Sequence, residues 1–278
     1  MTKAASREAQ SHVTGQLDSL IGSADNAVAT AAQIGTELFL TVDQLDAERA
    51  LRVAVADASL EADQRVGIIK DVFGGKVAEP TLDILSAAAK QEWSSPREFR
   101  AGLVNLGRHA LEKGAEAQGQ LEQVEDELYQ LSILLDKEQE LTQLLSDRTA
   151  TAAQKRGLLA SVIYGKVTMF TEALALQVIG RPQHNPVDDL AALSEGVAEL
   201  RGKTVARVAT AESLNDDQRG ALARKLEQIY GREIAIHSEV DPSLLGGMVV
   251  RVGDEVIDGS TRGKLARLRT EVAAQAAN

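Results

Sequence analysis

Histidine and cysteine are the residues that most often bind metals or act as nucleophiles, and this sequence offers little of either. It contains four histidines: His12, His109, His184 and His237. None lies in the helical spacing of histidines and carboxylates that is typical of a zinc-binding helix. We interpret all four as structural or surface residues. The absence of cysteine excludes disulfides, cysteine metal sites and a cysteine nucleophile.

Glycine-rich and acidic segments are also not arranged for catalysis. Gly74-Gly75-Lys76 and Gly246-Gly247 lack the spacing of a phosphate-binding loop, which lines up backbone amides around a phosphate. No Gly-x-Ser-x-Gly sequence marks a hydrolase nucleophile. The carboxylate pairs Asp188-Asp189 and Asp216-Asp217 fall at predicted helix starts, where the helix dipole explains them. The sequence therefore predicts a protein that is not an enzyme and needs no metal or other cofactor.

The charge of the chain limits its partners. The formal net charge is −11, and the segment from Lys203 onward contributes none of it, with 11 basic and 11 acidic residues. An acidic surface repels phosphate backbones, so we expect no nucleic-acid partner. The N-terminus lacks the apolar core of a signal peptide, and no apolar run reaches the roughly 18 to 20 residues that span a bilayer. We expect a cytoplasmic chain that reaches a membrane only through a partner.

A β unit followed by a helix is predicted at the C-terminal end, in residues 240–265. Met248, Val250 and Val252 alternate with other residues, which is the pattern of a half-buried strand. A two-residue glycine turn leads to a second strand over 255–257, and a serine then caps a helix. Two adjacent glycines before the first strand permit close backbone approach. The residues that define this pattern are Gly246, Gly247, Gly253, Asp254, Asp258, Gly259 and Ser260.

The residues before this unit predict the rest of a small domain. The β-branched run at 203–211 indicates a strand, and 233–240 indicates another. Between them, Asn215 and Gln218 have the spacing of a capping box at the start of a helix. The predicted order for residues 203–278 is therefore β-α-β-β-β-α.

The first two thirds of the chain contain an internal repeat. Residues 51–76 align without a gap on residues 141–166, at an offset of 90. Gln64 then matches Gln154, Gly67 matches Gly157, and the register holds on both sides. We predict a mainly α protein with two copies of a helical-bundle module, at 1–95 and 96–202, followed by the α/β domain at 203–278. Whether the helix over 97–113 is shared by both copies stays open.

These segments resemble a known family. The block Asp241–Leu265, with its strand, turn, strand and cap, is similar to the C-terminal signature of the delta subunit of bacterial F-type ATP synthase, the counterpart of the mitochondrial oligomycin-sensitivity-conferring protein. Residues 108–114 and 120–128 resemble the six-helix N-terminal domain of that family. The usual bacterial subunit has one such module, so the second copy indicates the actinobacterial form with an enlarged N-terminal region.

The resemblance implies a non-catalytic stator subunit, present in one copy, at the cytoplasmic face of the cell membrane. The helical domain would bind the N-terminal segments of the alpha subunits of the catalytic head, and the C-terminal domain would bind the b subunits of the peripheral stalk. For the alpha segment we predict a groove in the second copy, lined by Leu103, Leu106, Ala110, Leu174 and Val178. For the stalk we predict the final helix, at Leu265, Arg267, Leu268 and Arg269.

Alternatives remain at this point. The groove residues also fit plain bundle core, and the basic side chains of the final helix also fit a solvated face that the helix dipole favours. The extra copy would either bind a second alpha subunit or stiffen the stalk. A general helical-repeat scaffold unconnected to ATP synthesis would explain the two bundle copies but would not need the C-terminal signature.

Overall fold

The computed structural model describes residues 2–276, and the side chains of residues 4–268. The helices are α1 Thr2–Gly22, α2 Ala27–Ala47, α3 Arg49–Ala54, α4 Ala62–Phe73, α5 Glu79–Lys90, α6 Pro96–Ala117, α7 Leu121–Lys137, α8 Gln139–Ser146, α9 Ala152–Ile163, α10 Met169–Gly180, α11 Pro186–Leu200, α12 Asp216–Tyr230 and α13 Thr261–Ala276. The strands are β1 Thr204–Thr210, β2 Ile234–Val240, β3 Met248–Val252 and β4 Glu255–Asp258. The predicted class, mainly α with a C-terminal β-α-β-β-β-α region, is confirmed.

The helices repeat at the predicted offset. α3, α4, α5 and α6 begin at residues 49, 62, 79 and 96, and α8, α9, α10 and α11 begin at 139, 152, 169 and 186. Capping boxes recur at Glu61 and Thr151, where the side chain three residues later bonds back to the cap. Gly75 and Gly165 both have a positive φ, at 70° and 69°. Each copy therefore builds the same local structure from α3 and α8 onward.

α6 takes part in both copies. It is one continuous helix that starts 90 residues before α11, and Arg97-Glu98 within it matches Arg7-Glu8 of α1. It packs against α1, α2 and α5 of the first copy and against α10 of the second. The predicted domain boundaries, at 1–95, 96–202 and 203–278, were drawn from the sequence repeat and stay a prediction.

The chain forms two compact units. Unit 1 consists of the residues up to Val124 together with Arg148–Arg181, and so holds α1–α6, α9 and α10. Unit 2 consists of Glu125–Asp147 and the residues from Pro182 onward, and so holds most of α7 with α8, α11 and the α/β region.

The core of unit 1 is built around the contact between α2 and α6. α2 buries Ile34, Leu38 and Val42, which recur at helical spacing on one face. At the crossing the backbones come close, because a Cβ on Gly107 would lie 2.6 Å from the Phe39 ring and 3.3 Å from the Gly35 carbonyl oxygen. Glycine at this point lets an aromatic ring fill the space that a side chain would take.

The α/β region of unit 2 has a four-stranded sheet, within the residues described, in the order β2-β1-β3-β4. β1 pairs with β2 in parallel, and β3 is antiparallel to both β1 and β4. One face of the sheet, with Val208, Ile234 and Val250, packs on Leu226 of α12. The predicted capping box opens α12, since the backbone N–H of Gln218 donates to Asn215 Oδ1 at 2.8 Å and that of Asn215 donates to Gln218 Oε1 at 3.0 Å.

Gly107→Ala is expected to destabilise the protein. The added methyl group must displace the Phe39 ring, and overpacking of a filled core costs about 1–3 kcal/mol. The measurement is the free energy of unfolding in urea. The matched control is Gly15→Ala in α1, whose Cβ meets nothing within 4 Å and which should stabilise by up to about 1 kcal/mol. Equal effects of the two substitutions would contradict the close crossing.

Candidate functional site

The C-terminal signature residues form a tight joint that leads into α13. The backbone N–H of Thr261 donates to the Gly246 carbonyl at 2.9 Å, and that of Gly259 donates to the Met248 carbonyl at 2.9 Å. Gly247 has a φ of 75°, and a Cβ there would lie 2.5 Å from the Gly259 oxygen. The predicted close approach of the backbone at this glycine pair is confirmed.

Polar side chains complete the joint. Ser260 donates to Asp258 Oδ1 through its hydroxyl at 2.7 Å and its backbone N–H at 2.9 Å, and these bonds lower the pKa of Asp258. The Ser260 hydroxyl in turn accepts from the Gly263 N–H at 2.9 Å, so the predicted N-cap of α13 is confirmed. Gly253, with a φ of 59°, and Asp254 form the two-residue turn between β3 and β4. These residues fix where α13 begins rather than performing chemistry.

α13 and β4 present apolar side chains to solvent. Leu265 is 44% exposed and Leu268 is 55% exposed. In β4, which pairs on one edge only with β3, Val256 is 54% exposed and Ile257 is 40% exposed. No side chain of α13 from Thr261 to Leu268 is buried. A helix and an edge strand that leave apolar groups uncovered are features of a surface that binds another protein.

The sequence also predicts two basic residues, Arg267 and Arg269, for this surface. Arg267 is exposed, and its Nη2 lies 3.5 Å from the Asp258 carbonyl oxygen. The side chain of Arg269 lies outside the described residues.

The predicted groove residues lie in the interior of unit 1. Leu103, Leu106, Ala110 and Leu174 have no exposed surface, and Val178 is 2% exposed. They lie on α6 and α10, which pack against each other. Their burial favours the alternative of plain bundle core in this conformation, and their role in binding a partner stays a prediction.

Unit 2 contains a buried charged cluster that the sequence patterns did not predict. Glu125 on α7 and His237 on β2 are each 1% exposed, and Glu125 Oε1 lies 2.9 Å from His237 Nε2. The other carboxylate oxygen accepts from Arg201, at the end of α11. Tyr129 stacks on His237 with ring centroids 4.3 Å apart. The cluster connects α7, α11 and the sheet within unit 2.

The environment of Glu125 keeps its carboxylate charged. Burial raises the pKa of Glu125. The hydrogen bonds to His237 and Arg201, together with the attraction of these two groups, lower the pKa by more than burial raises it, so the net shift is downward. The signal in the sequence is the position of Glu125, four residues after Leu121 and three before Leu128, which places it on the same helix face as these leucines. A carboxylate on a buried face requires a partner, but the sequence does not say which one.

The other three histidines, His109, His184 and His12, make a helix-to-helix contact, a contact between a loop and the helix that follows it, and a surface contact, in that order. His109 Nε2 lies 2.7 Å from Asp18 Oδ1, His184 is bonded to Asp189, and His12 is exposed next to Gln16. Among the residues that the structure describes, no group of three or more histidine or carboxylate side chains is placed to hold a metal ion. In the same part of the chain, no helix is long and apolar enough to span a bilayer.

Comparison with known proteins identifies the family. Residues 109–272 match the family described as ATP synthase delta (OSCP) subunit. The chain is 64% identical over 270 residues to ATP synthase subunit delta of Corynebacterium glutamicum strain R, covering 97% of this chain and 99% of the relative. The chain belongs to the ATP synthase delta (OSCP) subunit family. It is therefore a non-catalytic, structural subunit of the stator of an ATP synthase, and the alternative of an unrelated helical scaffold is removed.

Other relatives also cover nearly the whole chain. The counterpart of Corynebacterium efficiens is 65% identical over 97% of this chain and 98% of its own length, and that of Corynebacterium kroppenstedtii is 50% identical over 96% and 98%. These delta subunits thus extend over both helical copies, as expected for the actinobacterial form. A chain of the Toxoplasma gondii mitochondrial ATP synthase hexamer is 19% identical with a TM-score of 0.33, covering 60% of this chain and 94% of that one. A likeness this distant supports nothing further.

Glu125→Gln should reduce the acid sensitivity of the protein. Because the pKa of Glu125 is lowered by folding, its charge stabilises the folded state above about pH 4.5 and loses this effect as pH falls through the folded pKa. The variant should be less stable at pH 7, by about 1–3 kcal/mol, because Arg201 and His237 lose a charged acceptor. The difference from the wild type should shrink toward pH 3.

The measurement is urea unfolding at pH 7, 5 and 3.5. Glu199→Gln, which removes the same charge from an exposed position of α11, is the control and should leave the pH dependence unchanged. A Glu125→Gln variant as sensitive to acid as the wild type would contradict a charged Glu125.

Proposed function

We propose that this chain joins the catalytic head of an F-type ATP synthase to its peripheral stalk. In this proposal its partners are the N-terminal segments of the alpha subunits and the C-terminal ends of the b subunits. The chain then lies at the cytoplasmic face of the cell membrane, held there through the complex. Rotation of the rotor exerts torque on the head, and the joint between head and stalk must resist shear without dissociating.

The observation that carries this proposal is the family match over residues 109–272, which includes most of the second helical copy and the α/β region. The exposed apolar side chains of β4 and α13 support it, since an amphipathic partner helix binds by burying such anchors.

The stalk contact is assigned to α13. Leu265 and Leu268 are three residues apart and lie on one face of the helix, both largely exposed. The signature joint fixes the first turn of α13 through Ser260 and Thr261. Arg262 and Arg267 add positive charge next to the apolar pair, in a chain that is acidic overall. A stalk helix with leucine-like anchors and nearby carboxylates would fit this face.

The head contact is assigned to the second copy, at the groove between α6 and α10. Its predicted lining residues lie on these two helices, and they are apolar throughout. An apolar lining suits an amphipathic helix, which is the form we expect for the alpha-subunit segment.

Co-sedimentation with the purified catalytic head tests the function. The chain should sediment with an intact head and should remain in solution with a head that lacks the alpha N-terminal segments. Failure to bind an intact head would overturn the proposed link. Binding that persists without the alpha segments would preserve the stator role but move the head contact to another surface.

Leu268→Asp should weaken stalk binding without unfolding the domain. The substitution places a charge in the middle of the exposed apolar face, and loss of one interface anchor costs about 1–3 kcal/mol, or roughly 5- to 150-fold in affinity. The measurement is the dissociation constant for a peptide that spans the last helix of the stalk's b subunit. Ile229→Asp on α12 is the matched control, because Ile229 is 59% exposed in the same region. Equal binding by both folded variants would place the stalk contact elsewhere.

A further inference from the structure

The α6 residues predicted to line the partner groove are covered by the first copy of this chain. Leu103, Leu106 and Ala110 belong to one apolar core with buried residues of α1, α2 and α5. α2 packs along α6 and also contacts α10. α2 therefore lies over both of the helices that would form the groove.

Small residues let α2 approach both helices. A Cβ on Gly35 of α2 would lie 2.9 Å from the Gly107 carbonyl oxygen of α6. About two turns further along α6, a Cβ on Gly114 would lie 2.6 Å from the Phe170 ring of α10 and 3.1 Å from Ala31 of α2. The three helices thus meet at Gly114, and α2 fits the space as a docked partner helix would.

An ion-pair cluster connects the far end of α2 to the second copy. Asp43 binds Arg156 of α9 through both carboxylate oxygens, at 2.8 and 3.1 Å. Asp43 Oδ1 also accepts from Arg181 Nη2 at 2.6 Å, and the same nitrogen donates to the Phe39 carbonyl at 2.7 Å. We call Asp43 with Arg156 and Arg181 the Asp43 latch.

The latch is absent from the repeat. Ninety residues away, Asp43 corresponds to Ile133, Arg156 to Val66 and Arg181 to Gln91. The copies agree in their caps and helix starts but differ at these positions. The charges therefore serve the contact between the copies and not the folding of each copy by itself.

Arg181 is incompletely satisfied by α2. Its side chain is 6% exposed, yet its Nε and Nη1 atoms make no hydrogen bond in the described part of the chain. Burial lowers its pKa to about 10 despite the attraction of Asp43, so it is charged at neutral pH. Asp46 Oδ2 of α2 lies 3.9 Å from Arg181 Nε, too far for a hydrogen bond, so an incoming helix that places an acceptor closer would bind this guanidinium more completely than α2 does.

We propose that α2 is a built-in occupant of the groove between α6 and α10, held by the Asp43 latch, and that a partner helix enters only when α2 leaves. The partner that fits is an amphipathic helix with small residues where α2 has Ala31 and Gly35 and a carboxylate in place of Asp43. This inference rests on the proposed function, because it concerns the groove assigned to the alpha-subunit segment.

The test uses the full chain and a fluorescent peptide with the sequence of residues 27–47. In Asp43→Asn the chain's own α2 loses the ion pairs of residue 43 with Arg156 and Arg181 and keeps only those of Asp46, whereas the peptide keeps both aspartates and can still bind Arg156 and Arg181. The variant should bind the peptide about tenfold more tightly than the wild type, the change that about 1.4 kcal/mol produces. A peptide that carries asparagine at the Asp43 position should lose most of this gain.

Glu48→Gln is the matched control. It removes one negative charge five residues beyond Asp43, and Glu48 bonds only locally, to Gln44, in the hydrogen bonds described. Its peptide affinity should equal that of the wild type. Hydrogen exchange on Asp43→Asn should rise in α2 but not in α1. Unchanged peptide affinity, or a loss of protection across all of unit 1 together, would overturn the proposal.

Failure of the inference is separable from failure of the proposed function. If the wild type binds the catalytic head but Asp43→Asn gains no peptide affinity, α2 is a permanent core helix and only the inference fails. If the wild type does not bind the head, the proposed function fails whatever the peptide does. An alpha N-terminal peptide that competes with the α2 peptide for Asp43→Asn would support both.

Discussion

Unit 1 depends on how closely α2 approaches α6. At Gly35 and Gly107 neither helix carries a side chain, and the rings of Phe39 and Phe170 fill the remaining space beside the glycines of α6. Close-packed interiors transmit strain instead of absorbing it, because few voids are left into which a side chain can move. A protein that resists shear gains from such a contact. The same glycines cost backbone entropy on folding, and the buried apolar surface around them must offset this cost.

Each unit uses a buried or half-buried charge cluster at the place where distant segments meet. In unit 2, Glu125 and His237 are separated by 112 residues, and in unit 1 Asp43 and Arg156 are separated by 113. Buried ion pairs add little net stability, since desolvation offsets most of the attraction, but removal of one partner is costly. Such clusters penalise any arrangement that separates the partners. They favour one geometry over others, which is what a mechanical joint requires.

Local features of the structure could be predicted from the sequence, because local chemistry determines them. The offset of 90 between residues 51–76 and 141–166 predicts matching starts for α4 and α9, and Asn215 with Gln218 predicts the start of α12. Glycine and aspartate in the β3–β4 turn, and Ser260 as a cap, follow from φ preference and hydrogen bonding within a few residues.

Long-range pairing could not be predicted in this way. The spacing of Leu103 and Leu174 fits the lining of a groove, but spacing alone does not tell whether a groove is open or filled by another helix of the same chain. No sequence pattern connects Asp43 with Arg181, which are 138 residues apart, and only the fold brings them together. The sequence predicts only that His237 is a structural or surface residue. The structure shows that it is buried, and its partner Glu125 could not be predicted because it lies 112 residues away in another element.

The duplication itself gives a reason for this arrangement. A second copy of a helical module brings a second set of apolar helix faces. Each of these faces must either pack against the first copy or stay exposed, where it can bind a partner or cause aggregation. α6 buries apolar faces of both copies, because it packs on α1, α2 and α5 of the first copy and on α10 of the second. A face that is used inside the chain is closed to a partner for as long as that contact holds. The extra copy therefore adds internal contacts to α6 and its neighbours, and the ion pairs of Asp43 with Arg156 and Arg181 lie at such a contact.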